Sequence, residues 1–154
     1  MRDDERRTRY LELTSLTEHG LRHAISVLRK TSYTSPASAE VDQIEVLIGD
    51  LEEKLSEVAT MTADVRAGHV DVASSAVERL KESADLSSEI VRAAASGGGP
   101  TEIAHIARGL TQLWGDVLAS CVYVCEDNVH EWPCGVAGRP SKCPCPKRWI
   151  QQIR

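Results

Sequence analysis

The stretch Val41–Val65, VDQIEVLIGDLEEKLSEVATMTADV, decides the fold. Val41, Ile44, Ile48, Leu51, Leu55, Val58, Thr62 and Val65 recur at alternating steps of three and four residues. That is a stripe of period 3.5, the pattern of a helix packed along its whole length on another helix. Asp50, Glu52, Glu53 and Lys54 fall off the stripe. Ser35 suits the N-cap and Pro36 the first helical position. A helix of about 30 residues is ~45 Å long and needs a long partner, from the same chain or a second copy.

Upstream, a first helix is expected from about Asp3 to Lys30, with Leu13, Leu16, Leu21, Ala24, Ile25 and Leu28 on its apolar side. Downstream, Gly68 and His69 break the register. A third helix is expected from about Asp71 to Ala95, on Ala73, Val77, Leu80, Ala84, Val91 and Ala94. Its many alanines imply a close neighbour. The loop Ser96-Gly97-Gly98-Gly99-Pro100 leads into a fourth helix, expected to end near Asn128. Ile103, Ile106, Leu110, Leu113, Val117, Cys121 and Val124 form its apolar side. Pro133, Pro140, Pro144 and Pro146 then forbid a helix. No segment alternates as a strand should. The expected fold is therefore all-α: a four-helix bundle or paired helical hairpins over residues 1–130, with an irregular Cys/Pro-rich tail over 131–154 packed on it or extending from it.

The chain has 154 residues, ordinary for one domain. It contains no Phe, three Trp and three Tyr, so Leu, Ile, Val and Ala must fill the core and no aromatic platform for bases exists. Residues 1–128 carry 13 Lys and Arg against 22 Asp and Glu, while residues 129–154 carry five against one. An acidic body repels nucleic acid and anionic membranes. The basic tail suits an acidic partner or its own acidic body. Arg2, Asp3, Asp4, Glu5, Arg6 and Arg7 exclude a secretory h-region at the start, and no apolar run is long enough to span a bilayer. A cytoplasmic setting is expected, with the five cysteines in a reducing compartment.

The most distinctive chemistry is Cys121-x3-Cys125-x4-His130-x3-Cys134-x8-Cys143-x-Cys145. Zinc takes four thiolate or imidazole ligands in a tetrahedron, and a metal would explain how a Pro-rich tail stays folded. Cys125, His130, Cys134, Cys143 and Cys145 are the candidate zinc ligands. Buried core thiols, disulfides and redox switching are the alternatives, since no Cys-x2-Cys knuckle is present. His19 and His23 share a helix face at metal-binding spacing, with Glu12 two turns back, although a solvated or half-buried pair is the simpler reading.

Glu82, Asp85 and Glu89 share one face of the third helix, and Asp116 lies on the fourth. Carboxylates from two facing helices suit Mg²⁺ bound to a phosphate substrate. Lys81-Glu82-Ser83-Ala84-Asp85-Leu86 and Gln112-Leu113-Trp114-Gly115-Asp116-Val117-Leu118 resemble the two acidic motifs of MazG-like all-α nucleoside triphosphate pyrophosphohydrolases. In that family four carboxylates on paired helices hold Mg²⁺. The resemblance covers about residues 77–124 and implies Glu82, Asp85 and Asp116 as ligands. Lys81 and Leu113 depart from it, which removes a ligand and points to an inactive relative. The order of long helix, short helix, Gly-rich loop and Ala/Leu/Arg-rich last helix is also similar to small helical proteins of actinobacteria, a likeness that implies no activity.

No phosphate-cradling Gly loop and no nucleophile elbow is present. The reading that follows is a small helical protein acting by association with a protein partner or itself, without catalysis. Trp132 and Trp149 are its expected tail anchors. A Mg²⁺-dependent pyrophosphohydrolase and a thiol- or zinc-based regulator are the alternatives.

Overall fold

The structure is a computed structural model and describes residues 2–34, 39–97, 99–125, 131–133 and 149–154. Four helices dominate it: α1 (Asp3–Thr34), α2 (Ala39–Arg66), α3 (Ser74–Ala95) and α4 (Pro100–Ala119). Four short strands complete it: β1 (Val70–Val72), β2 (Val122–Cys125), β3 (Glu131–Pro133) and β4 (Trp149–Ile153). The fold is thus mostly all-α, a four-helix bundle, with a small sheet that the sequence pattern does not announce.

The stripe of α2 is buried within the chain. Leu51, Val58 and Val65 are fully covered, Ile48 and Thr62 nearly so, and Ile44 and Leu55 partly. Its long partner is α1, with α4 on its other side. A second copy is not required to cover it.

On α1 the buried side is Tyr10, Leu13, Thr14, Thr17, Leu21, Ala24, Ile25 and Leu28. Leu16, expected inside, is 47% exposed. At 100° per residue it points well away from the axis through Leu13, Thr17 and Leu28. Two threonines take the inward places instead. They can do so because Thr14 Oγ1 donates to Tyr10 O (3.0 Å) and Thr17 Oγ1 to Leu13 O (3.0 Å), which satisfies both hydroxyls inside the helix.

Gly68 ends α2 at φ 80°, with Gly68 N donating to Val65 O (3.1 Å) and His69 N to Asp64 O (2.9 Å). This left-handed cap satisfies two helix carbonyls and turns the chain into β1. The third helix therefore begins at Ser74, later than its periodicity suggests. Val70 and Val72 are buried and Asp71 exposed, an alternation too short to read from sequence.

The fourth helix stops at Ala119 and does not continue to Asn128. Ser120 Oγ donates to Asp116 O (2.7 Å), giving the last turn a partner. Val122, Tyr123 and Val124 follow, and these β-branched and aromatic residues form β2. Cys121 and Val124 are buried, as their apolar character implies, but their backbone is not helical. The sheet order is β1-β4-β2-β3; β4 pairs parallel to β1 and antiparallel to β2, and β3 pairs antiparallel to β2. Within the tail, Glu131–Pro133 and Trp149–Ile153 are thus hydrogen-bonded to strands from the body. Ala73 N donates to Ile153 O (2.9 Å), joining the end of β4 to the start of α3.

Candidate functional site

Among the described residues four places hold chemistry that could serve a function: a polar cluster inside the bundle, the strand cap, and two surface grooves flanking α2.

Inside, Ser83 of α3 joins α1 to α4. Trp114 Nε1 donates to Ser83 Oγ (2.7 Å), Ser83 Oγ and Thr17 Oγ1 are 2.6 Å apart, and Ser87 Oγ donates to Ser83 O (2.8 Å). Thr17 gives its own proton to Leu13 O, so Ser83 donates to Thr17 and accepts from Trp114. Every proton is committed and Ser83 is fully buried. The cluster orders three helices and is not arranged as a nucleophile with a base. Sequence reading missed it because Thr17, Ser83 and Trp114 lie far apart in the chain. Elsewhere on α1 Tyr10 is wholly buried, and burial pushes its phenol well above the ordinary range.

At the strand cap, Arg79 ties three elements. Its Nη1 donates to Ser120 Oγ (2.5 Å) and to the carbonyl of Arg154 (2.9 Å). Arg6 Nε donates to Val72 O (2.7 Å), fixing β1 to α1. Glu131 pairs with Arg154, and this hydrogen bond holds the Glu131 carboxyl below its ordinary range and Arg154 above its own. Cys121 and Cys125 are buried, and Gln151 Nε2 lies 3.0 Å from Cys121 Sγ. Of the candidate zinc ligands only Cys125 is described; His130, Cys134, Cys143 and Cys145 lie outside the described residues. Trp132 pairs with Tyr123 and Trp149 with Cys125 through their backbones.

Glu82, Asp85 and Asp116 are all exposed. Among the described residues, no group of three or more His, Cys, Asp and Glu side chains comes together as a metal site. Glu82 and Asp85 flank the buried Ser83–Ala84 pair and face away from it, and Leu113 is half-buried, as the apolar stripe of α4 implies. His19 is exposed and His23 half-buried, with ring centroids 4.4 Å apart in an edge-on arrangement. Glu12 is engaged by Arg9 at 3.1 Å.

The two grooves differ in sign. Between α1 and α2, Arg22, Ile25, Ser26, Arg29, Lys30, Glu52 and Leu55 enclose about 510 Å³. Between α2 and α4, Asp42, Gln43, Val46, Leu47, Asp50, Arg108 and Thr111 enclose about 400 Å³. Val46 is 66% exposed. Sequence reading noted neither groove. The Arg22-x3-Ser26-x2-Arg29 spacing was the available signal for the first, since it sets the three on one helix face.

Comparison of the chain with protein-family models, with characterised proteins and with solved structures finds no match. Among the described residues no helix is long and apolar enough to cross a membrane.

Proposed function

We propose that this chain is a non-catalytic helical protein that acts by association, and that its contact face is the α2–α4 edge around Val46. The carrying observation is Val46 itself, 66% exposed above the buried Leu47 and walled by Asp42 and Asp50. An exposed apolar side chain between Asp42 and Asp50, with Arg108 across the groove on α4, suits an amphipathic partner segment that carries basic residues against the two aspartates. The acidic balance of residues 1–128 likewise favours a basic partner. A Lys/Leu-patterned helical peptide tests this directly. Binding measured by fluorescence anisotropy should weaken about tenfold, or ~1.4 kcal/mol, in Val46→Asp and similarly in Asp42→Lys/Asp50→Lys. Equal binding by wild type and both variants would refute this face. Sedimentation velocity of the chain alone separates self-association from a foreign partner. A panel of nucleoside triphosphates with Mg²⁺ should release no pyrophosphate; release lost in Asp116→Asn would replace this reading with the hydrolase.

A second reading, a thiol- or zinc-based regulator, draws support from strand register. Cys125 pairs with Trp149, and Val124 with Glu131, so β2 ends where β3 and β4 begin. His130 precedes Glu131 by one residue and Cys145 precedes Trp149 by four, a reach of at most ~14 Å. Cys134 follows Pro133, which pairs with Val122 at the other end of β2. The ligands this reading draws on are Cys125, His130, Cys134, Cys143 and Cys145. Native mass spectrometry should show one zinc per chain; zero zinc with all five thiols titratable removes it.

A further inference from the structure

The groove between α1 and α2 inverts the charge of the body that carries it. Arg22 and Arg29 stand two turns apart on α1, ~10 Å along the axis, with Ser26 between them and Lys30 beside them. Ile25, nearly buried, and the half-buried Leu55 are its apolar residues. The two arginines are loosely committed. Arg29 pairs with Glu52 across the groove, with side chains 52% and 47% exposed, and Arg22 lies 3.9 Å from Glu18. Exposed pairs of this kind are worth ~0–1 kcal/mol, so an incoming anion exchanges for them at small cost. A guanidinium fork matches the paired oxygens of a carboxylate or phosphate.

Size decides the occupant. About 510 Å³ is the scale of a small-molecule site, and helix–helix clefts are common places for one. A docked protein needs ~800 Å² on each partner, more than seven lining residues supply. A second copy of this chain is disfavoured by symmetry. The acidic stripe of Val46, Asp50 and Glu53 lies on the opposite side of α2 from Glu52 and Leu55. One two-fold contact cannot join both, and a head-to-tail contact would not close.

We propose that this groove binds a small amphiphilic anion, its carboxylate or phosphate head on Arg22 and Arg29 and its apolar body against Ile25 and Leu55. Glu52 competes with the ligand head for Arg29. The site is independent of the Val46 face, so either proposal stands or falls alone.

The test uses the full chain and four probes below their micelle concentrations: decanoate, decyl phosphate, decanol and inorganic phosphate. Titration calorimetry and the methyl NMR signals of Ile25 and Leu55 report binding. Decanoate, decyl phosphate or both should bind at least about tenfold more tightly than decanol or phosphate. Which of the two binds more tightly identifies the head group. Arg22→Gln/Arg29→Gln should lose about tenfold for the anions and leave decanol unchanged, and rising salt should do the same. Ser26→Trp, which fills the groove and keeps the rim charges, should abolish binding. Glu52→Gln should tighten it a few-fold by removing the competitor. These substitutions sit on exposed positions, so circular dichroism should confirm an intact fold. Decanol binding as tightly as the anions, wild-type affinity in the double arginine variant, or no binding at millimolar probe would each overturn the proposal.

Discussion

α1 meets two neighbours in opposite ways. Against α3 it comes so close that a Cβ on Gly20 would lie 2.4 Å from Ser87 Cβ and 2.7 Å from Ser87 Cα. Threonine and serine hydroxyls pair across that contact. Against α2 it packs an apolar stripe whose rim carries Arg22, Arg29, Lys30 and Glu52, and a groove stays open there. The difference follows from side-chain size. Small residues let two backbones approach, and the contact is then sealed by short polar groups. Long charged side chains at a rim keep their heads in water and hold the outer edges of two helices apart. The closed side is where stability should reside, and the open side is where a ligand can enter.

The comparison breaks most severely if the seam is charged. Leu51 is fully buried on α2, and Leu51→Asp places an unpaired carboxylate in the core. A cost of about 3 kcal/mol or more is expected by chemical denaturation, enough to unfold a marginal domain. Unchanged melting would contradict a buried seam.

The closed side is tested next. Gly20→Ala should destabilise by about 1–3 kcal/mol, because the backbone of Ser87 must move, and this exceeds the ~0.5–1 kcal/mol that alanine contributes to a helix. Gly49 of α2 is the control, since a Cβ there meets nothing within 4 Å. Gly49→Ala should therefore stabilise by about 0.5–1 kcal/mol. A Gly20→Ala that stabilised as Gly49→Ala does would show that α1 and α3 can move apart. Ser83→Ala should cost about 1–3 kcal/mol, because it leaves the buried Trp114 N–H without an acceptor. A red-edge change in tryptophan fluorescence should accompany it.

These elements also mark how far sequence carries. The α2 stripe, the Gly68 break, the end of α3 before Gly97 and the four helices were legible, because each is a local pattern of period or of backbone freedom. The Thr17–Ser83–Trp114 cluster was not, since hydroxyls inside a bundle are indistinguishable in sequence from hydroxyls on its surface. The strands were hidden for another reason. β1 and β3 have three residues each and β2 has four, too short for a clear alternating pattern, and β4, Trp-Ile-Gln-Gln-Ile, does not alternate. Cys121 and Val124 also keep a helical spacing with Val117, although Cys121 lies between α4 and β2 and Val124 within β2. Of the site chemistry, the cysteine spacing was visible and the grooves were not, since a groove belongs to two helices at once.

The weakest effect expected here lies at the edge of that sheet. Glu131 of β3 is tied to Arg154, just past β4, two strands away in the sheet order β1-β4-β2-β3. The hydrogen bond from Arg154 depresses the Glu131 carboxyl in the folded chain. A carboxyl with a lowered folded pKa contributes its stabilisation above the ordinary carboxylate range, and loses it as pH falls through the lowered value. The attachment of β3 should therefore be intact at neutral pH and loosen only in acid below the usual glutamate range. Amide exchange of Tyr123 and Trp132 is the measure, because their pairing holds β3 on β2. Glu131→Gln should remove this acid-dependent component while the exchange of the helical core stays as it was. Equal acid dependence in Glu131→Gln would mean that β3 is held by its backbone pairing to β2 alone, and that the ion pair is a surface accident of the kind that open, solvent-facing edges commonly carry.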